Sequence, residues 1–298
     1  MKIPFAGLCF VLLIACSSGN KSEDQALVDA LEETNLETEV ISGEVNEILH
    51  RIPSPLEISM LLKETEKKYN AEFLNSPQHL SRYNTNYKRA LNLGIYGTDL
   101  GYTNIYEQSQ DGIRYMSSIR DLANELNIGQ FFEMETIGRL VSNSDNLDSL
   151  LLITTQNFNS INHYLQSQNR SHLSVLFLTG GWLEALHITC AVARTNPGNK
   201  QLEETIGSQK IILDNILHLL SFYKESNPEM AALMTELESL KQSFEKVTIT
   251  TVYKPSTFEV IDGVMVVKDN SSSTVEITQA DIESIRSITQ NIRTKVIS

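Results

Sequence analysis

Leu93-Gly94-Ile95-Tyr96-Gly97-Thr98-Asp99-Leu100-Gly101-Tyr102 decides how this chain is read. Gly94, Gly97 and Gly101 stand three and four residues apart, so a helix places them on one face. A glycine inside a helix costs about 1 kcal/mol against alanine, and three of them need a compensating reason. Two reasons stand open: a second helix whose backbone comes very close, or a cleft walled by backbone and lined by Tyr96, Asp99 and Tyr102. The surrounding stripe, Leu80, Tyr83, Tyr87, Leu91, Gly94, Thr98, Gly101 and Ile105, keeps helical spacing and predicts one long helix.

The partner is written further on, as Leu178-Thr179-Gly180-Gly181-Trp182-Leu183-Glu184-Ala185-Leu186-His187. This stretch belongs to Ser171 to Thr195, which is apolar nearly all round and therefore predicts the central helix of the fold. Its Gly180-Gly181-Glu184 pattern echoes the first segment, so the two helices are expected to be neighbours crossing at their glycines. Gly180 and Glu184 interrupt the apolar run, which argues for a buried core helix over a membrane span.

Helical periodicity extends on both sides of this pair. Ile58, Leu62, Thr65, Tyr69 and Phe73 form one stripe after Ser54-Pro55, and Ser76-Pro77 restarts the chain. Further helices are predicted up to Asn127-Ile128-Gly129, from Gly129 to Leu140, and from an Asn143-Ser144-Asp145 cap to Gln168. Two more follow Asn196-Pro197-Gly198-Asn199 and Asn227-Pro228. The period then changes. Val247 to Tyr253 is rich in β-branched residues, two short strands flank Asp262-Gly263, and a serine loop at Ser271 to Ser273 leads to a Thr278/Asp281 capping box. The expectation is a mainly α fold, a multi-helix bundle with a small β-hairpin near 257–268 before the C-terminal helix.

Upstream, the composition divides the chain into residues 1–15, 16–51 and 52–298. Met1 to Ala15 has a basic start and an apolar run too short to span a bilayer, the pattern of an export signal. Ser17 to Arg51 is polar and acidic and predicts a spacer. The remainder is long enough for one helical domain with its own core. The formal net charge of −13, one unit more negative once Lys2 leaves with the signal, argues against nucleic acid and anionic lipid as partners. Of three cysteines, Cys9 lies in the signal, Cys16 at its end, and Cys190 in the apolar helix, so the domain has no pair for a disulfide.

Chemistry is sparse. Glu184-x-x-His187 has the spacing of a di-iron bundle ligand pair, but no other Asp or Glu stands three before a histidine, so a metal-dependent enzyme at Glu184/His187 is the weakest of three functional readings. No nucleophile elbow, phosphate loop, dinucleotide fingerprint or zinc-protease helix is present, and neither catalytic residues nor a metal or cofactor are assigned. The second reading is a small-ligand cleft at Tyr96, Asp99, Tyr102, Trp182, Glu184 and His187, where two acids meet aromatic rings. Its alternative is an ordinary core, in which hydroxyls, His187 or a distant arginine such as Arg286 or Arg293 satisfies the acids. The glycines Gly94, Gly97, Gly101, Gly180 and Gly181 are then packing residues.

The first reading comes from the N-terminus. Leu13-Ile14-Ala15-Cys16 resembles the lipobox of bacterial lipoprotein precursors. That resemblance implies a diacylglycerol on Cys16, cleavage before it, and, with Ser17 following, the outer membrane of a Gram-negative cell. The two glycine segments and the closing Ile282 to Ile292 stretch are similar to uncharacterised helical lipoproteins of Bacteroidetes-type bacteria, which implies an all-α envelope protein and carries no activity with it. The expectation is a membrane-anchored, non-catalytic lipoprotein whose helical domain binds an envelope protein or surface polymer.

Overall fold

The computed structural model describes residues 43–49, 52, 62, 63, 65, 68–133, 147–261, 264–268 and 270–298. The expected signal, Cys16, the Ser54-Pro55 start, the Asn143-Ser144-Asp145 cap and the Asp262-Gly263 turn lie outside them. One compact unit runs from Glu44 to Ser298, so it begins before the expected boundary at residue 52. The reason is apolar: residues 43–49 are helical and bury Val45, Ile48 and Leu49, while Glu44 and Asn46 reach His218 and Asn162.

The fold is mainly α. Helix α1 spans Asn86–Ile105 and α2 Ser109–Glu125, followed by α3 at Leu147–Ser167 and α4 at Ser171–Thr195. Helices α5, Lys200–Ser221, and α6, Pro228–Ser243, complete the run before the strands. The long stripe from Leu80 is not one helix. Pro77–Arg82 is a 3₁₀ turn, Tyr83 leaves helical geometry, and the Thr85 hydroxyl accepts the Lys88 N–H to start α1 afresh. Among the described residues of the Gly129 to Leu140 prediction, Gly129–Phe132 is likewise 3₁₀. Asn199 and Asn227 cap α5 and α6 through their side-chain oxygens, with Pro228 at the first turn of α6.

Helix α4 is the axis of the bundle. It is long and apolar enough to cross a membrane, with a mean hydropathy of 1.5 over its best window, yet 83% of that window is buried within this unit. It packs most extensively on α1, and also on α3, α5 and the last helix.

Between α6 and that last helix the chain forms an antiparallel ribbon of β1 (Thr248–Val252), β2 (Thr257–Ile261), β3 (Val264–Lys268) and β4 (Ser272–Glu276). β1 pairs with β4, Ile249 opposite Val275, and β2 pairs with β3, Phe258 opposite Val267. The expected serine loop is therefore a fourth strand, because Ser272 to Thr274 complete the ladder that Thr250 to Val252 begin. The ribbon is rooted on α5, where Gly207 leaves room for Val275 and Val247 and Lys210 Nζ donates to the Val247 carbonyl at 2.6 Å. Helix α7, Gln279–Val296, opens with the predicted capping box of Thr278 and Asp281.

Candidate functional site

The site begins where α1 and α4 cross. A β-carbon at Gly94 would stand 2.0 Å from the Phe177 carbonyl oxygen and 2.6 Å from the Gly181 nitrogen; one at Gly180 would stand 2.0 Å from the Leu91 carbonyl oxygen. Only hydrogen fits there. The Thr98 hydroxyl, 3.0 Å from the Gly181 carbonyl oxygen, donates across the seam. Gly97 takes no part in it. It is exposed, and among the described residues an added β-carbon would meet only the Phe177 ring, at 3.9 Å, because the helical turn carries this position past the contact line. Gly101 is half-buried farther along the helix. We therefore expect Gly97→Ala to raise unfolding stability by about 0.5–1 kcal/mol through helix propensity alone. A loss of that size in denaturant titration would instead place Gly97 against a neighbour.

Beside the crossing, Asp99 of α1 and Glu184 of α4 are both 0% exposed. Glu184 is answered from α7: Arg293 Nε donates to Oε2 at 2.5 Å and Nη2 to Oε1 at 2.6 Å, a two-pronged ion pair. Arg293 Nη2 also donates to the Phe73 carbonyl at 3.2 Å. Arg286, the other arginine considered, pairs with Glu283 on the surface of α7. Asp99 has no arginine of its own. Its Oδ2 accepts the Asn75 N–H at 3.1 Å, and burial together with the neighbouring Glu184 charge pushes its carboxyl well above the usual range.

The loop Leu74-Asn75-Ser76 closes this side. Asn75 Nδ2 donates to the Tyr83 hydroxyl at 2.9 Å, and the Tyr115 and Tyr96 hydroxyls donate to the Asn75 and Ser76 carbonyls, each at 2.9 Å. Asn92 Nδ2 reaches the Val296 carbonyl at 3.0 Å, tying α1 to the end of α7. Burial drives the Tyr96 and Tyr115 hydroxyls far up, so both stay protonated donors. His187, 8% exposed, is lowered to about 4 by burial first and by Arg293, which outweigh the opposite pull of Glu184; its ring is neutral around neutral pH.

The six residues proposed for a cleft are thus divided. Tyr96, Asp99, Glu184 and His187 share one buried polar cluster. Trp182 points to α5, where its indole N–H donates to Gln209 Oε1 at 3.0 Å. Tyr102 joins Tyr69 and Tyr106 in a ring cluster, with centroids 5.6 and 4.7 Å away. Two residues on a helix separated by two positions diverge by about 200°, which is why Trp182 and Glu184 face different neighbours.

Asn75, Asn92, Tyr83 and Tyr115 carry much of the cluster, and the sequence marks none of them as a site residue, Tyr83 standing out only as one position of the helical stripe. Their types signal nothing alone, and only the fold brings them together. Among the described residues, no three His, Cys, Asp or Glu side chains converge as metal ligands. Neither a family model, a curated protein nor a solved structure matches this chain.

Proposed function

We propose that this protein is a lipid-anchored, non-catalytic envelope protein, held at the outer membrane through Cys16, whose helical domain binds an envelope protein or surface polymer. The Leu13-Ile14-Ala15-Cys16 pattern and the polar stretch after it support the anchor. Two acyl chains hold a protein stably on a membrane at about 0.8 kcal/mol per buried methylene, with no spanning helix needed.

The observation that carries the binding reading is the ribbon. Phe258, Met265 and Val267 are 69%, 68% and 60% exposed, and the strand register places all three on one face. The acids and tyrosines of the α1/α4 crossing, by contrast, are buried, with Glu184 held by Arg293 and the Tyr96 and Tyr115 hydroxyls by loop carbonyls. Uncovered apolar side chains of this size mark surfaces for contact, and a face without charge suits a protein better than a hydrated polymer.

Two experiments test the two halves. Labelled fatty acid should enter the parent and not Cys16→Ser, which should also leave the membrane fraction; a Cys16→Ser protein that is processed and membrane-bound like the parent would sink the anchor. Cross-linking in the native envelope should yield a partner with the parent and lose it with Phe258→Ser/Val267→Ser. Equal yields from both proteins would remove the ribbon from the contact.

A further inference from the structure

The α1/α4/α7 joint holds two buried acids and one arginine, an unequal number. Glu184 uses both oxygens on Arg293, so the guanidinium is committed. Asp99 Oδ2 is occupied by the Asn75 N–H, while Oδ1 is fully buried and has no hydrogen-bond partner among the described residues. A carboxylate oxygen in that position is stranded, whereas a carboxylic acid becomes a donor itself, and the acceptor it would use is the buried carboxylate of Glu184, the neighbour whose charge pushes Asp99 up. We infer that Asp99 carries a proton donated to Glu184, and that this single proton closes the joint between α1, α4, α7 and the Leu74-Asn75-Ser76 loop.

Groups facing Asp99 from each side leave the proton nowhere else to go. From the loop side and α2, Tyr69 and Tyr115 are held protonated by burial, and Tyr69 is further occupied in donating to Asp111 at 2.8 Å. Tyr96, on its own helix, donates to Ser76. From α4, His187 is neutral above about 4 and brings no positive charge. Arg293 on α7 is the facing cation, its own pKa raised by Glu184 and Asp99 against the effect of burial. With the proton in place the Asp99–Glu184–Arg293 group is neutral; without it one uncompensated negative charge remains in the core, which the surroundings answer only by opening.

The pH dependence has a definite sign. The folded state binds this proton more tightly than the unfolded chain does, so the contribution to stability is complete below the ordinary carboxylate pKa. It declines as pH rises and is gone once pH passes the raised folded value. Within that window one proton changes the folding equilibrium constant by about tenfold per pH unit. Joint opening should show as faster amide exchange in α7 and at Asn75.

Asp99→Asn is the matched variant, since its amide oxygen accepts from Asn75 and its amide nitrogen donates to Glu184 without titrating. The expected result is that the parent loses stability relative to Asp99→Asn by about tenfold in the folding constant per pH unit across the window, the rise that neutral His187 contributes between about 4 and its ordinary value being common to both proteins. Carboxyl carbon NMR of the parent should find one aspartate protonated at neutral pH, absent from the spectrum of the variant. Assigned to Asp99 through its own bonds in the parent, that resonance decides the matter even if the variant fails to fold. An Asp99 resonance titrating in the ordinary carboxylate range, or the same pH slope in both proteins, would overturn the inference.

Discussion

Gly180→Ala unfolds about 3 kcal/mol more easily than the parent, at the upper end of what one inserted carbon costs in a packed core. The new β-carbon falls 2.0 Å from the Leu91 carbonyl oxygen, a backbone atom in the middle of α1 that no side-chain rotation can remove. The helices must separate by more than an ångström, and with them every contact that a close crossing makes possible, including the Thr98 bond to Gly181. Gly94→Ala meets the Phe177 carbonyl at the same distance and has an effect of the same size. Because one separation relieves both clashes, the double variant should cost clearly less than the two single costs added together. Denaturant titration with unchanged slope checks all three, and Gly97→Ala in the same helix is the internal control. A Gly180→Ala protein as stable as the parent would show that the helices do not cross at this point.

Arg293→Met has the second large effect, a loss of about 3–5 kcal/mol, because Glu184 then keeps its charge in the core with no partner. Methionine keeps the apolar stem as far as the position of Nε and drops the rest of the guanidinium, so the loss combines the stranded charge with a small packing defect. Glu184 sits on α4, near the middle of the chain, and Arg293 on the last turns of α7, so the variant also releases the C-terminal helix from the crossing. Adding Glu184→Met should recover most of the stability, since a buried ion pair replaced by apolar groups of similar volume is often neutral or better. Thermal unfolding of both variants decides it. If the single variant stays within about 0.5 kcal/mol of the parent, the pair lies near enough to water to be an ordinary surface contact.

These two results concern residues that the sequence brings forward and leaves ambiguous. Glycines at helical spacing in two apolar segments are enough to predict that α1 and α4 lie side by side, because few other arrangements offset the cost of so many helix-interior glycines. The spacing does not tell a glycine on the contact line from one just past it. Gly94 and Gly97 differ by 300° of helical rotation, and that difference separates a position with no room for a carbon from an exposed one.

What the sequence by itself determined was the class of the fold, the central pair, the strand pair before the last helix and the capping box at Thr278 and Asp281, since each follows from periodicity, β-branching or turn chemistry within a few residues. It also required that Asp99 and Glu184 be paired, protonated or exposed in a cleft. Which partners they took was decided only by tertiary structure: Arg293 lies 109 residues beyond Glu184, and Asn75 lies 24 before Asp99 on an unremarkable loop. The ribbon shows the same division. Its strands are local and readable, but whether Phe258, Met265 and Val267 end on the helices or in solvent depends on how far β1 and β4 carry the hairpin past Gly207. Local pattern selects the elements because backbone geometry repeats over a few residues; pairing of buried charges and covering of apolar faces depend on where those elements meet in space, which no local pattern records.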